Sequence, residues 1–198
     1  MRVAVCECAP EMVPGDEDWQ SLAAAVAGIS PDLFLLNEMP FGAWLSASPE
    51  PNAEHLEASR LLHKRAMDSL GELGSHAVLG TLPNLENGRD VNEAFVWSSD
   101  SVHGVHTKQF FPQEEGYFES SWFQRGETHF RLSEISGLRV GFLICTESMF
   151  TEWARSYGRQ GGHIIAVPRA VGATSLRRWR TALSMAASLP GGYLISSN

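Results

Sequence analysis

The stretch Leu138–Glu152, LRVGFLICTESMFTE, places a cysteine at the end of a predicted buried strand. Six of the seven residues from Val140 to Thr146 are apolar or glycine, and such a run, closed by polar residues, is typical of a buried strand. The apolar spacing in Phe150–Gly158 then predicts a helix. Cys145 therefore lies between a strand and a helix, where backbone N–H groups and the helix dipole favour a thiolate. By itself, such a cysteine is more often a buried structural residue.

The composition describes one globular domain with an acidic balance. The chain has 198 residues, of which 43% are hydrophobic and 19% are charged, and this is enough for a sizeable core. A net charge of −8 argues against nucleic acid and anionic membranes as partners. No apolar run approaches a membrane span, and no charged leader precedes an apolar segment at the N-terminus. We therefore expect neither membrane insertion nor secretion.

The three cysteines give no disulfide signal. Cys6 and Cys8 alternate in one predicted strand, where residues i and i+2 share a face but are poorly placed for a disulfide. We therefore expect free thiols, a reducing compartment and a cytoplasmic protein. One Cys-x-Cys pair without a second pair is a weak metal signal, and neither a metalloprotease His spacing nor a glycine-rich phosphate loop is present. We expect no metal and no cofactor.

The order of predicted elements indicates an α/β fold. Apolar and alternating runs predict strands at Arg2–Cys8, Asp32–Glu38, His76–Leu82, Asn92–Ser98, Val102–Lys108, His129–Ile135, Leu138–Cys145, His163–Val167 and Tyr193–Ser197. Helical spacing predicts helices at Asp16–Ile29, Ala53–Leu73, Phe150–Gly158 and Ser175–Leu189. Two mixed sheets placed face to face, with the helices outside, would bury every apolar strand. Because the last strand runs into Asn198, we expect a single domain, 1–198, whose C-terminal part is absent.

Three polar residues stand at the ends of otherwise apolar strands: Glu38, Lys108 and Cys145. In α/β folds, groups at the carboxyl ends of strands converge on the functional crevice. A carboxylate, an ammonium group and a thiol that converge there make a base, a charge stabiliser and a nucleophile. With Lys108 and a helix start beside it, Cys145 is expected to have a lowered pKa and to react faster than Cys6 or Cys8.

At this point the chain resembles a known family, the nitrilase superfamily of carbon–nitrogen hydrolases. The motifs that support the resemblance are Leu33–Glu38 (LFLLNE), His106–Pro112 (HTKQFFP), Phe123–Thr128 (FQRGET) and Arg139–Glu152 (RVGFLICTESMFTE). The resemblance covers nearly all of the chain and implies a four-layer αββα sandwich with a Glu38-Lys108-Cys145 triad. The chain departs from the family pattern at Asn37, where relatives often have proline. It also has Thr146 and Glu147 after the cysteine, where relatives often have an aromatic residue and aspartate.

The resemblance also implies a second glutamate near the lysine. Counting without gaps from Lys108 favours Glu119, whereas Glu115 is the rival because some amidase relatives carry this glutamate shortly after the lysine. For Glu114 we expect a solvated acidic loop. The role of Glu119 would be to orient Lys108 or the substrate.

Further site residues follow from the same resemblance. The backbone N–H of Thr146 is expected to help bind an oxyanion. Glu115, Tyr117 and Trp122 are candidates for substrate binding, although aromatic residues also simply pack. Glu147 is a further candidate near the site, with a helix-start acid as the alternative.

The implied activity is hydrolysis of a non-peptide C–N bond, in an amide, carbamoyl compound or nitrile, to an acid and ammonia. It would proceed through a thioester at Cys145, most readily as an amidase reaction. The partners implied are a small-molecule substrate and further copies of the chain, in a homodimer or larger oligomer. One alternative is a catalytically idle family member that acts as a binding or assembly subunit, and another is a thiol redox protein.

Overall fold

Two mixed β-sheets form the centre of the computed structural model, which describes residues 1–9, 11–127 and 130–198. The first sheet contains β1 (Val3–Val5), β2 (Leu33–Leu35), β3 (Ala77–Glu86), β4 (Arg89–Ser98) and β5 (Ser101–Thr107), in that spatial order. The second contains β6 (Ser133–Ile135), β7 (Leu138–Phe142), β8 (Ile164–Val167) and β9 (Tyr193–Ser196), also in that order. Both sheets combine parallel and antiparallel pairs.

Five helices accompany the sheets: α1 (Glu17–Ile29), α2 (Ala53–Met67), α3 (Glu119–Trp122), α4 (Thr151–Arg159) and α5 (Leu176–Ser188). Short 3-10 turns occur at Leu45–Ala47, Leu70–Leu73, Cys145–Met149 and Ala173–Ser175. Within the described ranges, no helix is both long and apolar enough to cross a membrane.

The apolar side chains define four layers. The inner faces of the two sheets share one core, to which Leu33 and Leu79 contribute from the first sheet and Val140 and Phe142 from the second. The outer face of the first sheet packs on residues of α1 and α2, and the outer face of the second packs on α4 and α5. Strands buried on both faces explain the continuous apolar runs in the sequence. The predicted αββα sandwich is therefore confirmed.

The first two strands are shorter than predicted, although one further hydrogen bond to the sheet follows each of them, from the N–H of Cys6 to Leu35 and from the N–H of Leu36 to Leu79. The predicted strand Asp32–Glu38 ends at Leu35, and the N–H of Glu38 donates to the carbonyl of Arg169 at 3.1 Å. The predicted strand Arg2–Cys8 ends at Val5. Both segments then continue as loops, and Glu38 lies in the loop that follows β2.

Other element ends differ in detail. Strand β3 continues through Pro83 to a turn at Asn87 and Gly88, whereas His76–Leu82 was predicted. Proline is tolerated there because β2 pairs with β3 only as far as Leu79, so that Pro83 faces the open side of the sheet. The predicted helix Ala53–Leu73 ends at Met67 and resumes as a 3-10 turn.

Two residues that the sequence analysis used lie outside the described residues: Thr128 and His129. The predicted strand His129–Ile135 is therefore described only from Phe130, and its regular part is β6. The expectation that the C-terminal part of the domain is absent stays a prediction. Strand β9 stands at one end of the second sheet, and its first residue, Tyr193, is exposed.

Candidate active site

The structure brings the three strand-end residues together. Glu38 follows β2, Lys108 follows β5 and Cys145 follows β7, and each of these side chains is buried. The Nζ atom of Lys108 donates to Oε1 of Glu38 at 2.6 Å. The charges of Glu38 and Lys108 both act on the pKa of Cys145, so all three groups lie within interaction distance. The carboxyl ends of strands from both sheets therefore meet at one buried cluster.

Glu119, rather than Glu115, contacts the lysine. The Nζ atom of Lys108 donates to Oε1 of Glu119 at 2.9 Å and to Oε2 at 2.6 Å. Glu119 is buried at the first turn of α3, whereas Glu115 is exposed. The lysine is thus held between two buried carboxylates, Glu38 and Glu119.

This cluster has unusual proton affinities. Burial alone would lower the pKa of Lys108, but the charges of Glu119 and Glu38 outweigh burial, so that its pKa is raised and the ammonium form is kept. Burial raises the pKa of Glu119 to about 7, against the opposing charge of Lys108 and together with the repulsion of Glu38. One ammonium group thus faces two carboxyl groups, and burial allows Glu119 to retain a proton into the neutral range.

The raised pKa of Glu119 predicts a pH-dependent stability. Its pKa rises from 4.5 to about 7 on folding, so between these values the folded chain keeps a proton that the unfolded chain has released. The stability that the protonated Glu119 contributes to the folded chain is fully present below pH 4.5 and is lost as the pH rises through about 7. Urea unfolding between these pH values should show stability falling more steeply in the unsubstituted chain than in Glu119→Gln. If the free energy of unfolding fell equally with pH in both chains, the raised pKa of Glu119 would be contradicted.

Cys145 has a left-handed backbone conformation, with φ of 47°. Its N–H donates to the carbonyl of Pro168 at 3.0 Å, and it begins a 3-10 turn of five residues. A non-glycine residue in this conformation is strained, and such strain is often found at functional sites. The turn positions the thiol at the end of β7.

The electrostatics of Cys145 correct the expectation of a lowered pKa. Burial raises the pKa of the thiol well above its ordinary value, and the charge of Glu38 adds to this, whereas the charge of Lys108 opposes it. The short 3-10 turn replaces the predicted helix start and supplies little dipole. The resting cysteine is therefore a neutral thiol that needs a base.

Glu38 uses only one of its two carboxylate oxygens in hydrogen bonds to the described residues. Its Oε1 atom accepts from Lys108 and from Nδ2 of Asn92, the latter at 2.8 Å. Its Oε2 atom is buried and has no hydrogen-bond partner among the described residues. A buried carboxylate oxygen without a donor is costly, and a proton from a neighbouring thiol would satisfy it.

Glu147 connects the residue after Lys108 to the residue before Cys145. Its carboxylate accepts from the backbone N–H groups of Gln109 at 2.7 Å and Ile144 at 2.8 Å, and Nε2 of His106 lies 2.7 Å from Oε2. Both oxygens are thus used internally and the side chain is fully buried. The assignment of Glu147 to substrate binding is therefore corrected, because it ties the end of β5 to the Cys145 turn. The bond to Ile144, three residues away, fits the helix-start alternative, whereas the bond to Gln109 was missed because that residue is remote in sequence.

A small cavity of about 70 Å³ reaches the thiol. Its walls include Cys145, Thr146, Tyr117, Glu114 and Trp179. Tyr117 and Thr146 were predicted at the site. Glu114 is exposed, as expected for a solvated loop, and it also borders this cavity.

A larger cleft lies next to this cavity. It has a volume of about 530 Å³ and is lined by Glu38, Tyr117 and Cys8, among others. Because Tyr117 borders both spaces, the small cavity and the cleft are neighbours on either side of its side chain.

Two predicted substrate-binding residues lie elsewhere. Trp122 is buried, its Nε1 donates to the carbonyl of Ser48 at 2.7 Å, and it packs in a cluster with Leu45 and Phe123. Glu115 is exposed and is not among the described residues that line the cavity of Cys145. The indole of Trp122 is therefore a packing group. Within the ranges that the structure describes, no group of three or more His, Cys, Asp or Glu side chains could hold a metal ion.

Comparison with known proteins gives consistent matches. A model of the carbon-nitrogen hydrolase family matches residues 2–197. Citrullinase from Francisella tularensis is 26% identical over 145 residues, which are 71% of this chain and 50% of that protein. N-carbamoylputrescine amidase from Solanum tuberosum is 23% identical over 177 residues, which are 84% of this chain and 59% of that protein. The chain thus spans roughly half to three-fifths of these relatives' length.

Solved structures share the fold. A carbon-nitrogen hydrolase from Helicobacter pylori G27 superposes with a TM-score of 0.74 at 19% identity, covering 98% of this chain and 72% of that chain. A mutant of the amidase from Nesterenkonia sp. AN1, with acrylamide added at its active-site cysteine, gives a TM-score of 0.72 at 19% identity. It covers 100% of this chain and 78% of that chain.

Proposed function

The chain belongs to the carbon–nitrogen hydrolase family, and we propose that it hydrolyses a small amide, carbamoyl compound or nitrile to an acid and ammonia. The observation that supports this best is the buried cluster in which Lys108 is hydrogen-bonded to both Glu38 and Glu119 beside a neutral Cys145. Such a cluster supplies a base, a cation and a nucleophile within one water-poor site. An amide reaction is the one we favour.

The first half of the reaction forms a thioester. As the Cys145 sulfur attacks the carbonyl carbon of an amide, Oε2 of Glu38 accepts the thiol proton. The negative oxygen of the tetrahedral intermediate is stabilised by Lys108 and by the backbone N–H of Thr146, and each such donor is worth about 3 kcal/mol. Glu38 then returns the proton to the leaving nitrogen, the C–N bond breaks, and ammonia departs.

The second half releases the acid. Glu38, again without a proton, takes one from a water molecule that attacks the thioester carbon. The C–S bond breaks, and the sulfur regains a proton through Glu38. Glu119 positions Lys108 through its two hydrogen bonds and does not itself exchange a proton with the substrate.

The size of the cavity limits the substrate. About 70 Å³ beside Cys145 has room for an amide or ureido group, and the larger cleft beyond Tyr117 has room for the rest of the molecule. Relatives named N-carbamoylputrescine amidase favour carbamoyl compounds as the first class to test. We further propose a cytoplasmic protein, from its free thiols, that acts as a homodimer or larger homo-oligomer.

Ammonia release from a panel of amides, carbamoyl compounds and nitriles tests this proposal. The panel should be run on this chain, on any longer form of the protein and on Cys145→Ala as the matched control. We expect release by a form with Cys145 and none by the substituted form. A second probe is acrylamide, which adds to the active-site cysteine of the Nesterenkonia amidase and should label Cys145 here.

Two outcomes would count against hydrolysis. Release of ammonia at equal rates by the Cys145→Ala variant would exclude the thioester route. No release by any form, together with no acrylamide adduct on Cys145, would favour the alternative of an idle binding or assembly subunit.

A further inference from the structure

The two cysteines outside the cluster are in contact. The Sγ atoms of Cys6 and Cys8 lie 2.8 Å apart, and both are free thiols. A disulfide bond measures about 2.05 Å, so closing the pair needs a movement of less than about 1 Å. No step of the proposed hydrolysis uses either thiol.

The local backbone explains why the sulfurs meet, and it corrects the expectation that the pair is poorly placed for a disulfide. The regular strand ends at Val5, and the segment that carries both cysteines continues beyond it. The N–H of Cys6 donates to the carbonyl of Leu35 at 3.0 Å. The terminal residue Asn198 donates to the carbonyl of Cys6 at 3.0 Å and accepts from the N–H of Cys8 at 3.1 Å. These three bonds fix both residues on the same side of one loop.

The two thiols differ in access and in acidity. Cys8 is partly exposed and lines the cleft that also contains Glu38, whereas Cys6 is buried. The hydrogen bond between them lowers the pKa of Cys8 although burial opposes this, and the same bond, with burial, raises the pKa of Cys6. An oxidant in the cleft therefore reacts with Cys8 first, and Cys6 is the neighbouring thiol that can form a disulfide with the oxidised Cys8.

We propose that Cys6 and Cys8 are a modification site at the rim of the cleft and form a reversible intramolecular disulfide on exposure to hydrogen peroxide. The Cys8 sulfur attacks one peroxide oxygen, the O–O bond breaks, and the second oxygen leaves as water with the thiol proton. Cys8 is then a sulfenic acid. The Cys6 sulfur attacks the Cys8 sulfur, the S–O bond breaks, and a second water carries away the Cys6 proton. Two thiols are oxidised and one peroxide is reduced to two waters.

This inference does not rest on hydrolysis, since neither sulfur touches the reacting atoms. It does bear on the cleft. Cys8 lines the same cleft as Glu38, so oxidation of the pair changes the chemistry of one residue of the cleft wall.

A folded Cys145→Ala variant gives the simplest test, because Cys6 and Cys8 are then the only cysteines of the chain. Equimolar hydrogen peroxide should lower the free thiols from two per chain to none, with a mass loss of two hydrogen atoms, and dithiothreitol should restore both. Glu7 lies between the two cysteines, so cleavage after it by a Glu-specific protease yields two peptides. These peptides should stay joined until they are reduced.

Matched substitutions separate the two roles. In Cys6→Ser, Cys8 should stop at the sulfenic acid and be trapped by dimedone, whereas in Cys8→Ser, Cys6 should remain a thiol over the same time. The unsubstituted chain should show the same joined peptides, which covers any failure of Cys145→Ala to fold. Two thiols left after peroxide, a sulfinic acid on Cys8 beside a free Cys6, or a link between two chains would each overturn the proposal.

Discussion

Lys108→Met is expected to lower the free energy of unfolding at neutral pH by about 3–5 kcal/mol, the usual cost of removing one partner of a buried ion pair. The lysine is fully buried and donates to Glu38 and Glu119. Methionine fills a similar volume but leaves two buried carboxylates without their cation. Urea denaturation, compared with the unsubstituted chain at the same pH, measures the loss.

Two controls separate this electrostatic cost from simple misfit. Lys108→Met combined with Glu119→Gln should recover part of the loss, because a glutamine amide, unlike the Glu119 carboxyl group, has no charged form that needs the lysine as its partner. The cost of Lys108→Met alone should also shrink at acidic pH, where the carboxylates become protonated. A loss that is small, or that is unchanged by pH and by Glu119→Gln, would contradict the buried ion cluster.

Cys145→Ala is expected to lower kcat for amide hydrolysis by at least about 1,000-fold, because residues that act as one catalytic unit fail together when the nucleophile is removed. The substitution removes one sulfur from a buried site and keeps the backbone turn. Steady-state ammonia release measures the rate, and circular dichroism checks that the fold is kept. Glu115→Gln is a matched surface control, since Glu115 is exposed and contacts none of the cluster. A folded Cys145→Ala variant with undiminished rate would exclude the nucleophile.

The sequence could predict the cluster because its residues interrupt apolar patterns. Glu38, Lys108 and Cys145 each end a run of strand-forming residues, and strands that are buried on both faces leave a clear signature. The sandwich followed from the same runs. Glu119 followed from the family resemblance, by a gapless count between Lys108 and the FQRGET motif, and the resemblance left Glu115 open as the rival.

Features set by distant backbone groups could not be predicted. The carboxylate of Glu147 accepts hydrogen bonds from the N–H groups of Gln109 and Ile144. The sequence near Glu147 gives no sign of the bond to Gln109. The raised pKa of Cys145 depends on how deeply the turn is buried and how close Glu38 lies.

The contact between Cys6 and Cys8 also depends on backbone groups that are distant in sequence. The sulfurs meet just beyond the end of β1 at Val5, in a segment whose backbone is bonded to Leu35 and to the remote Asn198. Strand ends are the least certain part of any prediction from sequence, and here both thiols lie just beyond one such end.

The central claim is that Cys145 forms a thioester with the substrate after Glu38 has taken its proton. Rapid mixing with an amide that releases ammonia, acid quenching and intact-mass spectrometry test it most directly. The account predicts a transient mass increase equal to the acyl group, located on Cys145 by peptide mapping, discharged by hydroxylamine and absent in Cys145→Ala. Turnover of the amide with no acyl adduct at any time, or with an adduct on another residue, would contradict it.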